Sequence, residues 1–126
     1  MDKKLKILAV DDDFINLKLI SSMLKKNINV GSIVEATNGL DAINLLKSET
    51  DINLILLDIK MPIMDGIEFL INLQSMAEFK KIPVIVLTTD ETRKNEAFDN
   101  GAFDFLVKPI REHDLSTKIL KVVDLS

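Results

Sequence analysis

The chain has no cysteine, tryptophan or tyrosine, and it has one histidine among 126 residues. Without cysteine, disulfides and thiolate metal sites are excluded, and a reducing, cytoplasmic location is expected. No apolar run approaches the roughly 20 residues of a transmembrane helix, and the start lacks a secretory pattern. A net charge of −4 without a basic block argues against direct binding to nucleic acid. The composition predicts a soluble protein without direct contact with membrane or nucleic acid, and leaves cation binding open.

What the chain does have is a regular alternation of short apolar runs and helix-period segments. This pattern is typical of helices packed around a parallel sheet, and the length fits one domain, residues 1–126. The apolar runs predict strands near residues 5–10, 32–36, 53–57, 83–87 and 104–107. The apolar positions of four predicted helices are Leu17, Ile20 and Leu24; Leu40, Ile43 and Leu46 or Lys47; Ile67, Leu70 and Leu73; and Leu115, Ile119 and Val122. We therefore predict an α/β fold, a doubly wound parallel sheet of five strands with helices on both faces.

Turn and capping residues agree with this division of the chain. Asn38-Gly39 separates the second strand from its helix, and Pro83 stands at the start of a strand, where proline is tolerated. Asp65 with Glu68 three positions later predicts a capping box.

Polar side chains stand at the carboxyl ends of four predicted strands, the edge at which ligands bind in such sheets. Three consecutive carboxylates repel one another, by about 1 kcal/mol per pair in water and about 4 at an effective dielectric near 20. They therefore need a cation among them. The residues at this edge are Asp11, Asp12 and Asp13 after the first strand, Asp58 after the third, Thr88 after the fourth and Lys108 after the fifth.

The combination of these residues predicts chemistry that none of them predicts singly. Taken alone, each residue has an ordinary structural role. Aspartates such as Asp13 and Asp65 often form turns or cap helices, a threonine such as Thr88 is common in strands, and a lysine before proline, such as Lys108, is usually on the surface. The Lys-Pro bond also invites a cis peptide, seen in about 5–6% of X-Pro bonds. Hard oxygen ligands from two strand ends suit Mg²⁺, and a carboxylate can attack phosphorus while cations neutralise the phosphoryl oxygens. The edge thus predicts a Mg²⁺ site for phosphoryl transfer.

The segments ILAVDDD, LILLDIKMPIMDG, VIVLTT and FLVKPI have an order and spacing that resemble the receiver domain of two-component response regulators. The resemblance covers essentially the whole chain and implies a flavodoxin-like strand order, 2-1-3-4-5. It implies a signalling protein that catalyses only its own phosphorylation and dephosphorylation. The phosphoryl group is expected to come from the phosphohistidine of a sensor histidine kinase or a histidine phosphotransfer protein.

By motif position, the resemblance implies a role for each acidic residue of the edge. Asp58 is the expected phosphoacceptor. Asp11 and Asp12 are expected to hold Mg²⁺ together with Asp58 and the backbone carbonyl of Lys60. Asp13 matches a position that is commonly acidic without being a direct ligand.

The resemblance also implies how the phosphoryl group is held, read and lost. Thr88 is expected to hydrogen-bond the phosphoryl oxygens, and Lys108 to form an ion pair with them. Thr88 and Phe105 are the expected switch, with Phe105 moving inward, although Phe105 lacks the hydroxyl of the tyrosine common there. A downstream protein is expected to bind the face of the fourth helix, fifth strand and fifth helix. Lys60 and Asp90 are expected to pair across the mouth of the site and slow hydrolysis.

Two other functions stay open from the sequence. Asp11-x-Asp13 also resembles haloacid-dehalogenase-type phosphatases, with Asp11 as nucleophile, but only Glu112 and Asp114 offer a late acidic pair. A pseudo-receiver, an interaction module without phosphorylation, is the other. His113, the lone histidine, is expected to be solvated, which makes the chain a recipient rather than a donor of phosphate. The chain ends soon after its last helix, so we expect a stand-alone regulator or a receiver cut from a longer protein.

Overall fold

The computed structural model describes residues 4–125, which form five strands and five α-helices in alternation. The strands are β1 (Leu5–Val10), β2 (Val30–Ala36), β3 (Leu54–Asp58), β4 (Val84–Thr88) and β5 (Asp104–Val107). The helices are α1 (Phe14–Lys25), α2 (Gly39–Ser48), α3 (Gly66–Gln74), α4 (Lys94–Asp99) and α5 (Glu112–Val123), and a 3-10 helix, Glu91–Arg93, precedes α4. All strand pairs are parallel, in the order β2-β1-β3-β4-β5. The predicted α/β fold and strand order are confirmed.

The sheet separates two apolar cores, which explains why its inner strands are apolar at most positions. In β3, Ile55 and Leu57 face a core shared with α2, α3 and α4, whereas Leu54 and Leu56 face a core shared with α1 and α5. Strands covered by helices on both faces read as continuous apolar runs rather than alternating ones. The predicted apolar positions of α1, α3 and α5 are all buried.

Two details of the second repeat differ from the prediction. β2 begins at Val30, earlier than expected, because Val30 pairs with Leu5 before the register shifts. Leu40 does not belong to the buried face of α2, since its side chain is 44% exposed, and Lys47 is exposed as well. The helix buries Ala42, Ile43 and Leu46, and at 3.6 residues per turn Leu40 lies about 100° or more from the centre of that arc.

The fourth crossover is the least regular part of the fold. The sequence shows no apolar periodicity between β4 and β5, and the structure has a short 3-10 helix followed by the six residues of α4. Ala97 is the one residue of α4 that is buried, all six being described by the structure. This crossover is therefore held by fewer apolar contacts than the other helices.

Side-chain caps fix where three helices begin, close to the edge of the sheet formed by the carboxyl ends of the strands. Asp13 caps α1 by accepting from Ile15 N, and Asn38 caps α2 by accepting from Asp41 N. Asp65 caps α3, and the predicted capping box with Glu68 is confirmed. Pro83 directly precedes β4, and its carbonyl accepts from Ile55 N at 3.0 Å.

Ile63 has a backbone conformation that β-branched residues avoid. Its φ is 69°, and Met64 N donates across it to Pro62 O at 2.7 Å, which makes a γ-turn with positive φ. The side chain is 75% exposed, so little burial offsets the strain. The loop between β3 and α3 therefore contains a locally strained residue.

We expect Ile63→Asn to raise the free energy of unfolding by about 1 kcal/mol, because asparagine tolerates positive φ. Urea denaturation measures the difference. The matched control is Ile28→Asn, which replaces an exposed isoleucine without positive φ and should change stability by less than about 0.5 kcal/mol. A loss of stability in Ile63→Asn that equals or exceeds that of the control contradicts strain at Ile63.

Candidate functional site

Buried polar groups concentrate at the carboxyl edge of the sheet. Among the described residues, four polar side chains are buried, and three of them, Asp11, Asp58 and Thr88, lie at this edge. Asp11 directly follows β1, Asp58 ends β3, and Thr88 ends β4, one residue beyond Leu87, the partner of Asp58. The parallel sheet thus brings together side chains far apart in sequence.

The cation among these carboxylates is the ammonium group of Lys108. Its Nζ lies 2.8 Å from Asp11 Oδ2 and 3.4 Å from Asp58 Oδ1, and its side chain is 13% exposed. The backbone positions it: Lys108 N donates to Thr88 O at 2.8 Å, and the Lys108-Pro109 peptide bond is cis. Lys108 is therefore a constituent of the site and not a surface residue.

The three consecutive aspartates have different surroundings. Asp11 is 2% exposed, and its Oδ1 accepts from Asp13 N at 2.9 Å. Asp12 is exposed. Asp13 is exposed as well, and its Oδ1 accepts from Ile15 N at 2.9 Å as the cap of α1. The helix-cap role considered for Asp13 from the sequence is thus present.

Three carboxylates have the spacing of a site for one small cation. Asp11, Asp12 and Asp58 each offer an oxygen atom, and these atoms lie within 4.8 Å of one another. Oxygen donors alone suit a hard divalent ion such as Mg²⁺, which takes one or two carboxylates and keeps several waters. The exposed side of Asp12 leaves room for such waters. The donor set therefore fits Mg²⁺.

Burial and charge shift the pKa values of two groups in the site. Burial raises the pKa of Asp58 from 3.8 to about 6; the Lys108 ammonium opposes this rise, and the charge of Asp11 adds to it. For Lys108, burial alone lowers the pKa, but the hydrogen bond to Asp11 and the charge of Asp58 outweigh burial and raise it. Lys108 is held as a cation, and the Asp58 carboxylate is the group whose charge is costly.

A residue that the sequence analysis missed, Gly66, lets α3 begin close to the end of β3, the strand that carries Asp58. Gly66 N donates to Ile59 O at 2.8 Å, and a Cβ at position 66 would collide with the carbonyl oxygen of Asp58. The Asp65-Gly66 pair is the sequence signal for such a turn. Glycine is needed here for close approach of two backbones.

One expectation about neighbouring residues stays a prediction, and one requires correction. Phe105 is buried, at 7% exposure, in the core shared with α2, α3 and α4, and its inward movement on phosphorylation stays a prediction. Among residues 4–125, no ion pair within 4.0 Å joins Lys60 to Asp90. The Asp90 carboxylate accepts hydrogen bonds from Thr92 instead.

The sequence model of the response regulator receiver domain matches residues 7–120, nearly the whole chain. The chain belongs to the response-regulator receiver family. A relative with 34% identity over 119 residues is the two-component response regulator ORR11 of Oryza sativa subsp. indica, and the match spans 93% of this chain and 80% of the rice protein.

Solved structures agree with this membership. The receiver is similar to the Vibrio cholerae chemotaxis protein CheY4, with a TM-score of 0.84, 28% identity and coverage of 94% of this chain and 98% of the other. It is also similar to a phosphorylated cyanobacterial phytochrome response regulator, RcpA, with a TM-score of 0.80, 26% identity and coverage of 97% and 93%. The receiver is thus a signalling protein of two-component systems, whose members interact with histidine kinases or phosphotransfer proteins.

Within residues 4–125, no helix has the length and apolar character needed to span a membrane. His113 is exposed near the start of α5, as the sequence analysis predicted.

The raised pKa of Asp58 predicts a stability that depends on pH. The folded receiver binds this proton more tightly than the unfolded chain, so the stabilisation is present below about pH 4 and is lost as the pH rises through about 6. Asp58→Asn, neutral throughout, should therefore raise the free energy of unfolding at pH 8 by on the order of 2 kcal/mol, and by little at pH 4. Urea denaturation in chelator at both pH values measures this.

The control for this experiment is Asp99→Asn, an exposed aspartate of α4, which should change stability by less than about 0.5 kcal/mol at both pH values. An Asp58→Asn variant that is no more stable than wild type at pH 8 contradicts a costly charge at Asp58.

Proposed function

We propose that this receiver, residues 1–126 acting as one domain, accepts a phosphoryl group on Asp58 from the phosphohistidine of a sensor histidine kinase or a histidine phosphotransfer protein. The observation that carries the proposal is the placement of Asp58: its carboxylate ends β3, is 8% exposed and lies 3.4 Å from the Lys108 ammonium. Family membership supports the same donor class. The proposal also keeps the cytoplasmic location, without direct nucleic-acid or membrane contact, that the composition predicts.

The proposed chemistry is a transfer between two nucleophiles. An oxygen of the Asp58 carboxylate attacks phosphorus, the bond between phosphorus and the donor imidazole breaks, and the imidazole leaves with the electron pair. Lys108 then pairs with the phosphoryl oxygens, exchanging one carboxylate partner for another anion. The Thr88 hydroxyl, at the end of the adjacent strand, donates a hydrogen bond to them. Both contacts stabilise charge that is spread over the equatorial oxygens.

Asp11, Asp12 and Asp58 are the side chains proposed to hold Mg²⁺, with the backbone carbonyl of Lys60 as a further ligand. Bound there, Mg²⁺ supplies positive charge that neutralises the phosphoryl oxygens and the crowded carboxylates. The close spacing of the three carboxylate oxygens supports this assignment.

Signal output is proposed to pass through Thr88 to the face built from α4, β5 and α5. Thr88 and Phe105 are the proposed switch: phosphorylation draws Thr88 toward the phosphoryl group, and the Phe105 side chain, which is 7% exposed and has no hydroxyl, moves further inward. A downstream protein that binds this face then distinguishes the two states by their relative populations.

The alternatives from the sequence have less support. A phosphatase that uses Asp11 as nucleophile requires a free carboxylate, but Asp11 is 2% exposed and both of its oxygens accept hydrogen bonds. A pseudo-receiver lacks the acceptor, the acid pair or the lysine, whereas this chain has Asp58, Asp11, Asp12 and Lys108 at one edge.

We expect Asp58→Asn to remain folded and to take up no phosphoryl group from acetyl phosphate with Mg²⁺, because the amide keeps the shape of the side chain and loses the nucleophile. Intact-mass spectrometry measures the added phosphoryl mass. The matched control is Asp13→Asn, a neighbouring acidic cap that should still be phosphorylated. Phosphorylation of Asp11 or Asp13 in the Asp58→Asn variant contradicts the proposed roles.

Mg²⁺ should raise the free energy of unfolding of the unphosphorylated protein by about 1.4 kcal/mol at ten times its Kd, since it binds only the folded site. Asp12→Ala should abolish this rise. In chelator the same variant should change stability by less than about 0.5 kcal/mol, because Asp12 is exposed. Denaturation with Mg²⁺ or chelator tests both expectations.

Asp13→Ala is the control for the Mg²⁺ experiment. It should lose about 1 kcal/mol through its helix cap and keep the full rise with Mg²⁺. A full Mg²⁺ effect in Asp12→Ala excludes Asp12 as a ligand.

A further inference from the structure

The side chain of Asp90, which flanks the acceptor site, is bonded to its own loop. Asp90 caps the 3-10 helix: its Oδ1 accepts from Thr92 N at 3.0 Å and also from the Thr92 hydroxyl. The backbone of Asp90 is fixed at the same time, since Asp90 N donates to Thr88 Oγ1 at 3.2 Å. Two residues of one short loop therefore set where this carboxylate points.

The cations near Asp90 do not form ion pairs with it. The Lys60 ammonium is near enough to help lower the pKa of Asp90, but the two hydrogen bonds from Thr92 lower it more. Arg93, the other cation nearby, has its Nε bonded to Glu96 Oε1 at 2.7 Å. Within the described part of the chain, Thr92 therefore hydrogen-bonds the Asp90 carboxylate, and Lys60 acts on that carboxylate through its charge without forming an ion pair.

We propose that Thr92 is a positioning residue that holds Asp90 away from Lys60 and so keeps the mouth of the acceptor site open to water. This inference rests on the proposed phosphorylation of Asp58. In hydrolysis, the oxygen of a water molecule bonds to phosphorus, and the bond between phosphorus and the Asp58 oxygen breaks. Inorganic phosphate and a proton leave, and the Asp58 carboxylate is restored. A Lys60–Asp90 ion pair across the mouth obstructs that water, so Thr92 shortens the lifetime of the phosphorylated state.

Thr92→Val tests the proposal, because valine keeps the shape and the backbone N–H of threonine and replaces only the hydroxyl with a methyl group. The proteins are phosphorylated with acetyl phosphate and Mg²⁺, the donor is removed, and loss of the phosphoryl group is followed by mass spectrometry. We expect Thr92→Val to slow dephosphorylation about two- to fivefold, the range of a weak surface ion pair. Thr92→Ser, which keeps the hydroxyl, should match the wild type.

The Thr92→Val substitution made in a Lys60→Gln variant shows whether Thr92 affects dephosphorylation through Lys60 or through a general change in the loop. In Lys60→Gln, replacing Thr92 with valine should no longer slow dephosphorylation, because Asp90 has lost the cation that would draw it across the mouth. Dephosphorylation of Thr92→Val at or above the wild-type rate overturns the proposal. Slowing that persists unchanged in Lys60→Gln overturns it as well.

A titration of the Asp90 carboxyl by NMR distinguishes failure of this inference from failure of the proposed function. Without any phosphorylation, Thr92→Val should raise the pKa of Asp90 toward its usual value, and Thr92→Ser should leave it low. If the wild type takes up no phosphoryl group, the function proposed for Asp58 fails, while the titration still tests whether Thr92 positions the Asp90 carboxylate. An Asp90 pKa that is unchanged in Thr92→Val overturns this positioning role.

Discussion

The rest of the site depends on the ion pairs that the Lys108 ammonium group forms with two carboxylates. It lies between Asp11 and Asp58, two carboxylates that are almost fully buried and would otherwise repel each other. Removing Lys108 would leave both buried carboxylates uncompensated, a change that commonly costs about 3–5 kcal/mol, whereas neutralising Asp58 leaves Lys108 paired with Asp11. Even with Lys108 in place, burial dominates the pKa of Asp58. The site is therefore stable with an ammonium group present and remains receptive to further positive charge.

The scaffold supplies this arrangement through backbone contacts rather than through the acidic residues themselves. Lys108 N donates to Thr88 O, which fixes the end of β5 against the end of β4. Beyond the end of β3, Gly66 allows α3 to start against the backbone of Asp58 and Ile59. Because all strands run in the same direction, their carboxyl ends meet at one edge, and five loops share a small volume there. Backbone groups of Lys108, Thr88, Ile59 and Gly66 therefore hold the residues of that edge in position.

Features that depend on local pattern could be predicted from the sequence. The alternation of apolar runs with helical periodicity gave the sheet, and Asp65 with Glu68 gave the start of α3. The convergence of Asp11, Asp58, Thr88 and Lys108 at one edge was also predicted, but the detailed packing and pairing of side chains from different segments was not. Leu40 has helical spacing, but the packing of α2 leaves it exposed. Asp90 can bond to Thr92, two residues away, or to the charge of Lys60 on another loop. It bonds to Thr92, and the spacing of charges along the chain does not predict which partner is used.

The short α4 has a consequence for the energy landscape of the native state. Its six residues, all described by the structure, anchor to the core through Ala97, and the 3-10 helix before it has no buried residue. Opening this segment exposes little apolar surface, so the free energy of its local unfolding is well below that of the whole domain. We expect amide hydrogens there to exchange with solvent through small local fluctuations, and those of β3 and β4 to exchange only through global unfolding. The crossover can therefore rearrange between Thr88 and β5 while both cores stay packed.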